Sequence, residues 1–296
     1  MSEAVQVTPP QPVAQAQKPH RSPSAMGTYF GCGEDFRRRY MEHERIPPTL
    51  SMLGGTGMHK GAEHNFRQKI DSHVDLPVAD VVAAAVAGFD AAIAKDGLTL
   101  FPEELALGEG VAVGMKRDEV ANSAAAFRLT QSPDYQPKAV EQLVRIPVPK
   151  GTHDLLGIMD LVADDIARGV DDVVVDFKNA KKSKSAADAA ESTQLTFYSA
   201  AHQVQYGKPP SEVRLDVLVT TKKGVSRQLL VEHRDAKDFQ VLANRLNAME
   251  QGVKAGVFLP AAPGSWKCSA KWCPWFTRGC VYVNAERIEA AKAAEE

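Results

Sequence analysis

Asp172-Val173-Val174-Val175-Asp176-Phe177-Lys178-Asn179 is the stretch on which the fold turns. Its run of β-branched residues predicts a strand over 172–179. Alternation along a strand puts Val174, Asp176 and Lys178 on one face and Val173, Val175 and Phe177 on the other. A carboxylate and an ammonium therefore stand side by side at the end of an otherwise apolar strand. Taken alone, the triplet is explained as well by an ordinary surface salt bridge.

The neighbouring sequence changes that balance. Asp165-Ile166-Ala167-Arg168-Gly169 reads as a hairpin loop, preceded by a strand over 155–164 in which Ile158, Asp160 and Val162 share a face. Pairing across the hairpin would bring Asp160 beside Asp176. Two close carboxylates repel unless a proton or cation lies between them. A hard divalent cation, Mg²⁺ or Mn²⁺, suits such oxygen ligands. Lys178 would then orient or deprotonate a water and offset developing negative charge. On the helix expected over 193–205, Gln194 and Tyr198 are four residues apart and point the same way.

Further strands are expected over 143–148, 213–220 and 226–232, the last two joined across Lys222-Lys223-Gly224. Residues 181–192 read as a polar, basic, mobile loop. Helices are expected from Ser22-Pro23-Ser24, over 78–94, over 235–254, and from Ala285 onward. The glycines of Leu53-Gly54-Gly55-Thr56-Gly57-Met58-His59-Lys60-Gly61-Ala62-Glu63 predict a turn leading into a helix that carries His59 and Glu63 on one face. Helices, then a largely antiparallel sheet with a helix inserted, then a helix and a cysteine-rich end, define an α/β (α+β) fold with helices flanking a central mixed sheet. Residues 1–22 read as a disordered leader, 23–284 as one domain, and 285–296 as a helical tail.

The 296 residues carry a formal net charge of −2, which argues against a DNA-coating or packaging protein. A nuclease needs basic residues only along one groove. The candidates are Arg37, Arg38 and Arg39, then Lys181, Lys182 and Lys184, then Lys222 and Lys223, although a solvated surface explains each one as well. No apolar run reaches membrane-spanning length, and no signal pattern opens the chain, so a cytoplasmic location is expected.

In order, Gly55 to His59, Gly157 to Asp160, Asp176 to Lys178 and Gln194 to Tyr198 resemble the motifs of the PD-(D/E)XK nuclease superfamily, specifically its RecB-like exonuclease branch. The resemblance spans roughly residues 22–280 and implies a restriction-endonuclease-like core. It implies that His59, Asp160, Asp176 and the carbonyl of Phe177 hold Mg²⁺ or Mn²⁺. It makes Lys178 the catalytic lysine, with Gln194 and Tyr198 bracing the site. Glu63 reads better as a solvated helix residue.

Four cysteines remain: Cys32, Cys268, Cys273 and Cys280. Three within thirteen positions are hard to attribute to packing. Zinc and an iron–sulfur cluster both accept four thiolates, and the spacing does not choose between them. The resemblance favours a [4Fe–4S] cluster, since one RecB-like group has one cysteine before its core and three after it. Where that group often has Pro after the first cysteine, Gly33 stands here, and the C-terminal spacing is wider. Trp266, Trp272 and Trp275 could stack bases, but packing is expected for at least two of them.

The resemblance thus implies a metal-dependent DNA exonuclease acting on single-stranded DNA ends. Such proteins occur in phage or prophage recombination systems and in CRISPR adaptation, so a recombination or single-strand-annealing partner is expected. For a phage-encoded protein the location would be the host cytoplasm. Two rivals are a non-catalytic DNA-binding scaffold with a relic site and a zinc-stabilised endonuclease.

Overall fold

The computed structural model describes residues 18–149, 151–221 and 223–293. A short strand β1 (His20–Arg21) is followed by helices α1 (Pro23–Gly31) and α2 (Gly33–Phe36) and a π-helical turn, Arg37–Met41. Helices α3 (Leu50–Ser72), α4 (Val78–Asp96), α5 (Pro102–Leu107) and α6 (Glu109–Thr130) come next. Strands β2 (Tyr135–Ile146), β3 (Asp154–Asp165) and β4 (Val170–Ala180) precede α7 (Ala186–Ala190) and α8 (Thr193–Tyr206). Strands β5 (Glu212–Thr221) and β6 (Gly224–Glu232), then α9 (Ala236–Lys254) and α10 (Ala285–Ala293), complete the order.

The strands form one mixed sheet flanked by helices, as expected. β2, β3 and β4 are antiparallel neighbours, β4 and β5 run parallel, and β6 returns antiparallel on β5. The parallel step is possible because α7 and α8 carry the chain back across the sheet. Strand alternation sorts the core into two layers. Val162, Val174, Leu215 and Val217 pack against α1, α8 and α9. Leu161, Val173, Val175, Phe177 and Leu218 pack against α3, α4 and α6. The sheet is thus buried on both faces, which explains its near-continuous apolar strands.

Several expectations need correction. The glycines of residues 54–61 form no turn, for α3 runs unbroken from a Thr49 cap. Gly57 and Gly61 are instead the contact with α4. A Cβ on either would lie 2.7–3.0 Å from α4 atoms such as the Ala85 carbonyl oxygen and Cβ, so their absent side chains let the helices close. β2 begins eight residues before the expected strand at 143–148, and the 181–192 loop contains α7. The 22-residue helix α6 was not foreseen. Of the expected leader, residues 1–17 lie outside the described residues. His20 and Arg21 pair in parallel with the start of β3, on the edge that β4 leaves free.

Candidate active site and cysteine cap

The last paired residues of β3 and β4 are Leu161 and Val175, and beyond them the strands part. Parting leaves the Phe177 N–H without a ladder partner. The Asp160 carboxylate accepts it at 3.2 Å, which fixes that side chain in the fork. Asp176 is the next residue on β4 and is fully buried. The Tyr198 hydroxyl spans the two carboxylates, 3.2 Å from Asp160 Oδ1 and 3.5 Å from Asp176 Oδ1. The hairpin therefore places Asp160 beside Asp176, as the alternation predicts.

Lys178 Nζ donates to Asp176 Oδ1 at 2.9 Å and to Gln194 Oε1 at 3.3 Å. The Gln194 amide donates to the Tyr198 hydroxyl at 2.7 Å, closing a ring of contacts from β4 to α8. α8 lies close because residue 157 is glycine. A Cβ there would meet the Phe197 ring at 2.6 Å. The glycine of the Gly157 to Asp160 motif is thus a packing requirement of the helix that carries Gln194 and Tyr198.

His59 reaches the fork from α3 on the opposite layer. Its Nδ1 lies 3.6 Å from Asp160 Oδ2 and 3.5 Å from Glu141 Oε1. Glu141 was missed by the sequence reading, which started its strand two residues later. It lies in β2 between Val140 and Gln142, the partners of Leu161 and Met159, and so faces Asp160. Its φ of 48° is left-handed, unusual for glutamate and outside the range of a regular strand. Extending the strand back through Val140 would have brought Glu141 into view.

His59, Glu141 and Asp160 offer ligand atoms that all lie within 4.8 Å of one another, the one such trio among the described residues. This donor set suits a divalent cation of the Mg²⁺ or Mn²⁺ kind with mixed oxygen and imidazole ligands. Asp176 fits beside it for a separate reason. Its buried Oδ2 makes no well-directed hydrogen bond and meets the Lys178 ammonium at 2.9 Å, so a cation could complete its coordination. Burial pushes the Asp176 carboxyl up to about 7, against the pull of Lys178 and helped by the Asp160 charge. Burial opposes charge on Lys178 and on His59, but neighbouring carboxylates outweigh it, and both lie above their ordinary values.

A groove of about 800 Å³ leads to these residues. Its lining includes Gly54, Gly55, His59 and Lys60 of α3, Lys116 and Glu119 of α6, and Lys178 and Lys181. Glu63 pairs with Lys60 and Arg67, but it is half-buried and lines the groove rather than standing free in solvent.

The other basic candidates divide. Arg37 and Arg38 both bind the buried Glu34, and Arg39 binds Asp35, so this arginine run is committed to internal ion pairs. Lys181 pairs with Glu119 at the groove, Lys184 lies near Asp188, and Lys182 is exposed. Lys222 lies outside the described residues.

The segment after Cys32 meets the segment that carries the other three cysteines. The Gly33 N–H donates to the Leu259 carbonyl at 2.7 Å, a bond that proline could not make. A Cβ at this position would lie 2.7 Å from the Phe258 and Leu259 backbone, which accounts for glycine after Cys32. Buried Trp275 donates to Asp35 at 2.6 Å, and Arg38 lies over its ring while binding the Gly279 carbonyl. Burial pushes the Cys273 thiol up to about 11, and charges on Cys280 and Cys32 add to the effect. Cys280 is raised by burial, with Cys32 and Cys268 contributing.

A family model for the PD-(D/E)XK nuclease superfamily matches residues 20–278. The chain belongs to that superfamily. No curated protein matches the chain. Among solved structures, that of a "putative exonuclease" from Eubacterium rectale is 13% identical, with a TM-score of 0.48, covering 87% of this chain and 90% of that one. The structure of SSO0001 is 14% identical with a TM-score of 0.31, covering 76% of this chain and 96% of that one. Superfamily membership makes a phosphodiester-hydrolysing nuclease the frame for this site, with nucleic acid as substrate. Among the described residues no helix is long and apolar enough to cross a membrane.

Proposed function

We propose that this member of the superfamily is a Mg²⁺- or Mn²⁺-dependent DNA exonuclease acting at single-stranded ends. The observation that carries this is the convergence of Asp160, Asp176, Lys178, Glu141 and His59 at one strand fork beside one groove. His59, Glu141, Asp160 and Asp176 would hold the cation, with the Phe177 carbonyl as a further oxygen. A bound divalent cation would acidify a water and stabilise charge on the phosphate. Lys178 would orient such a water and balance the negative charge that develops on the phosphate. Gln194 holds the ammonium, and Tyr198 keeps the two carboxylates apart and aligned. Single- and double-stranded DNA labelled at each end, digested with Mg²⁺ or Mn²⁺, tests the reading. Stepwise loss of nucleotides from a single-stranded end is expected. Internal cuts in circular DNA, or no cleavage of any substrate, would overturn it.

Metal binding should be steeply pH-dependent. With its pKa near 7, the Asp176 carboxyl holds a proton below neutrality and sheds it above. Mn²⁺ affinity is therefore expected to rise as pH increases from about 6 to 8, with proton release to buffer. Calorimetry in two buffers of different ionisation enthalpy measures that release. Asp176→Asn should flatten the profile.

Gly55 provides a test with two readouts of opposite sign. It lines the groove, and a Cβ there would meet nothing within 4 Å. Neither packing nor backbone conformation calls for glycine, which weakens a helix interior by roughly 0.5–1 kcal/mol relative to alanine. Open space for substrate explains it. Gly55→Leu is expected to raise thermal stability slightly while sharply lowering kcat/KM on DNA. Unchanged cleavage would remove Gly55 from the substrate path.

The four thiols hold a [4Fe–4S] cluster in this reading, which clips the two chain ends together. Zinc and a cluster both accept four thiolates, and the choice of the cluster rests on the family resemblance. Protein purified without oxygen is expected to absorb in the visible blue and to contain iron and sulfide. A colourless protein loaded with zinc would favour the rival.

A further inference from the structure

The three tryptophans of the C-terminal cap do not share one role. Trp275 packs, but Trp266 and Trp272 are 63% and 48% exposed, contrary to the expectation that at least two would be buried. The two exposed rings meet edge to face at 5.4 Å, and Trp272 meets Phe101 in the same way at 5.1 Å. Two ammonium groups lie over them. Lys267 is 5.8 Å from the Trp266 ring, and Lys271 is 5.3 Å from Trp272 and 5.8 Å from Phe101. Lys271 also pairs with Glu103, itself well exposed, at 2.6 Å.

We propose that Phe101, Trp266 and Trp272, with Lys267 and Lys271, form a stacking platform for single-stranded DNA that feeds the catalytic groove. The proposal rests on the nuclease reading above and adds a second contact site to it. Bases present π-faces that stack on aromatic rings, and the same strand presents phosphates to ammonium groups. A duplex hides those faces. A protein-docking patch fits less well, because lysine is depleted in the cores of such interfaces. Position supports the assignment. Phe101 follows Thr99, which bridges to Thr49 at the start of α3. Ser51 and Met52, in the first turn of α3, line the groove. From Ser51 the helix rises about 12 Å to His59, so one strand can occupy both sites.

The test measures binding of a long labelled oligothymidylate in EDTA, and cleavage in Mn²⁺ of a short one that spans the groove alone. Trp266→Ala/Trp272→Ala should weaken long-strand binding roughly 10- to 100-fold and leave short-substrate cleavage unchanged. Trp266→Phe/Trp272→Phe should bind nearly as well as wild type. Lys267→Gln/Lys271→Gln should reduce the slope of log affinity against log salt by about 1.4. If the alanine pair melts early, the phenylalanine pair and the salt slope decide. Undiminished long-strand binding by the alanine pair, as a protein-docking patch would give, overturns the platform while leaving the nuclease reading intact. Equal loss on short and long strands also overturns it. Wild-type protein that binds the long strand but never cleaves DNA overturns the nuclease reading instead.

Discussion

Lys178→Ala should give a folded protein whose cleavage rate on DNA falls by roughly 10²- to 10³-fold, the usual consequence of removing one well-placed donor. The side chain has two partners, Asp176 and Gln194, and its partial exposure keeps the ammonium within reach of the groove. Its loss acts twice. The donor beside the reacting phosphate disappears, and the buried Asp176 carboxyl loses the cation that favours its charged form. The carboxyl then keeps its proton to higher pH, so Mn²⁺ affinity at neutral pH should fall with the rate. Raising the pH should recover binding but not the rate. Lys178→Arg should rescue poorly, because a planar guanidinium cannot reproduce a compact donor against both partners. Single-turnover digestion with saturating Mn²⁺, alongside a melting curve, checks the prediction. A folded Lys178→Ala protein that cleaves at the wild-type rate would sink the assignment of Lys178. Lys182→Ala, exposed and outside the groove lining, should change little.

How much of this was legible in the sequence depended on whether the signal was local. Strand alternation is local, so Asp176, Lys178 and Asp160 could be placed on β4 and β3. Spacing on a helix is local too, so Gln194 and Tyr198 could be read as one face. Glu141 was only half legible: extending the strand through Val140 includes it, but its left-handed backbone breaks the alternation that would assign its face. The glycines of α3 were misread because sequence does not distinguish a glycine that bends a chain from one that admits a neighbour. Only the approach of α4 to Gly57 and Gly61 resolves that. The arginine run shows the same limit. Arg37, Arg38 and Arg39 look like a phosphate patch until Glu34 and Asp35, three and four residues earlier, are seen to bind them on one helical surface. The exposed tryptophans were equally ambiguous, since exposure is a property of the assembled cap.

The largest stability effect is expected away from the catalytic groups, at Asp216. On β5 this residue is the register partner of Phe177, so it lies directly beside the strand that carries the site. It is fully buried and accepts four hydrogen bonds: from Gln131 at 2.6 Å, Tyr135 at 2.8 Å, and Arg227 at 2.9 and 2.6 Å. Burial and the Asp216 charge hold the Tyr135 phenol protonated, so it donates to Asp216 while its oxygen accepts from Arg227 at 3.3 Å. Asp216→Ala leaves Gln131 and Tyr135 short of an acceptor and Arg227 short of a counter-charge. Breaking a buried pair from one side costs about 3–5 kcal/mol. The lower end is expected, because Arg227 keeps Asp134 and the Thr130 carbonyl. Against a typical total of about 5–15 kcal/mol, that loss brings the protein close to unfolding at growth temperature. Asp216→Asn keeps an acceptor and should cost less. In Asp216→Leu/Arg227→Met the charge and its counter-charge leave together, so part of the loss should return. Urea denaturation at neutral pH measures all three variants. A loss below about 1 kcal/mol in Asp216→Ala would mean that the network adds little to the native state. Because Gln131 also lines the cavity beside His59 and Lys178, activity in the surviving Asp216→Ala protein should fall at temperatures below its melting point. That order of events, site first and fold second, is what a network directly beside the catalytic strand predicts.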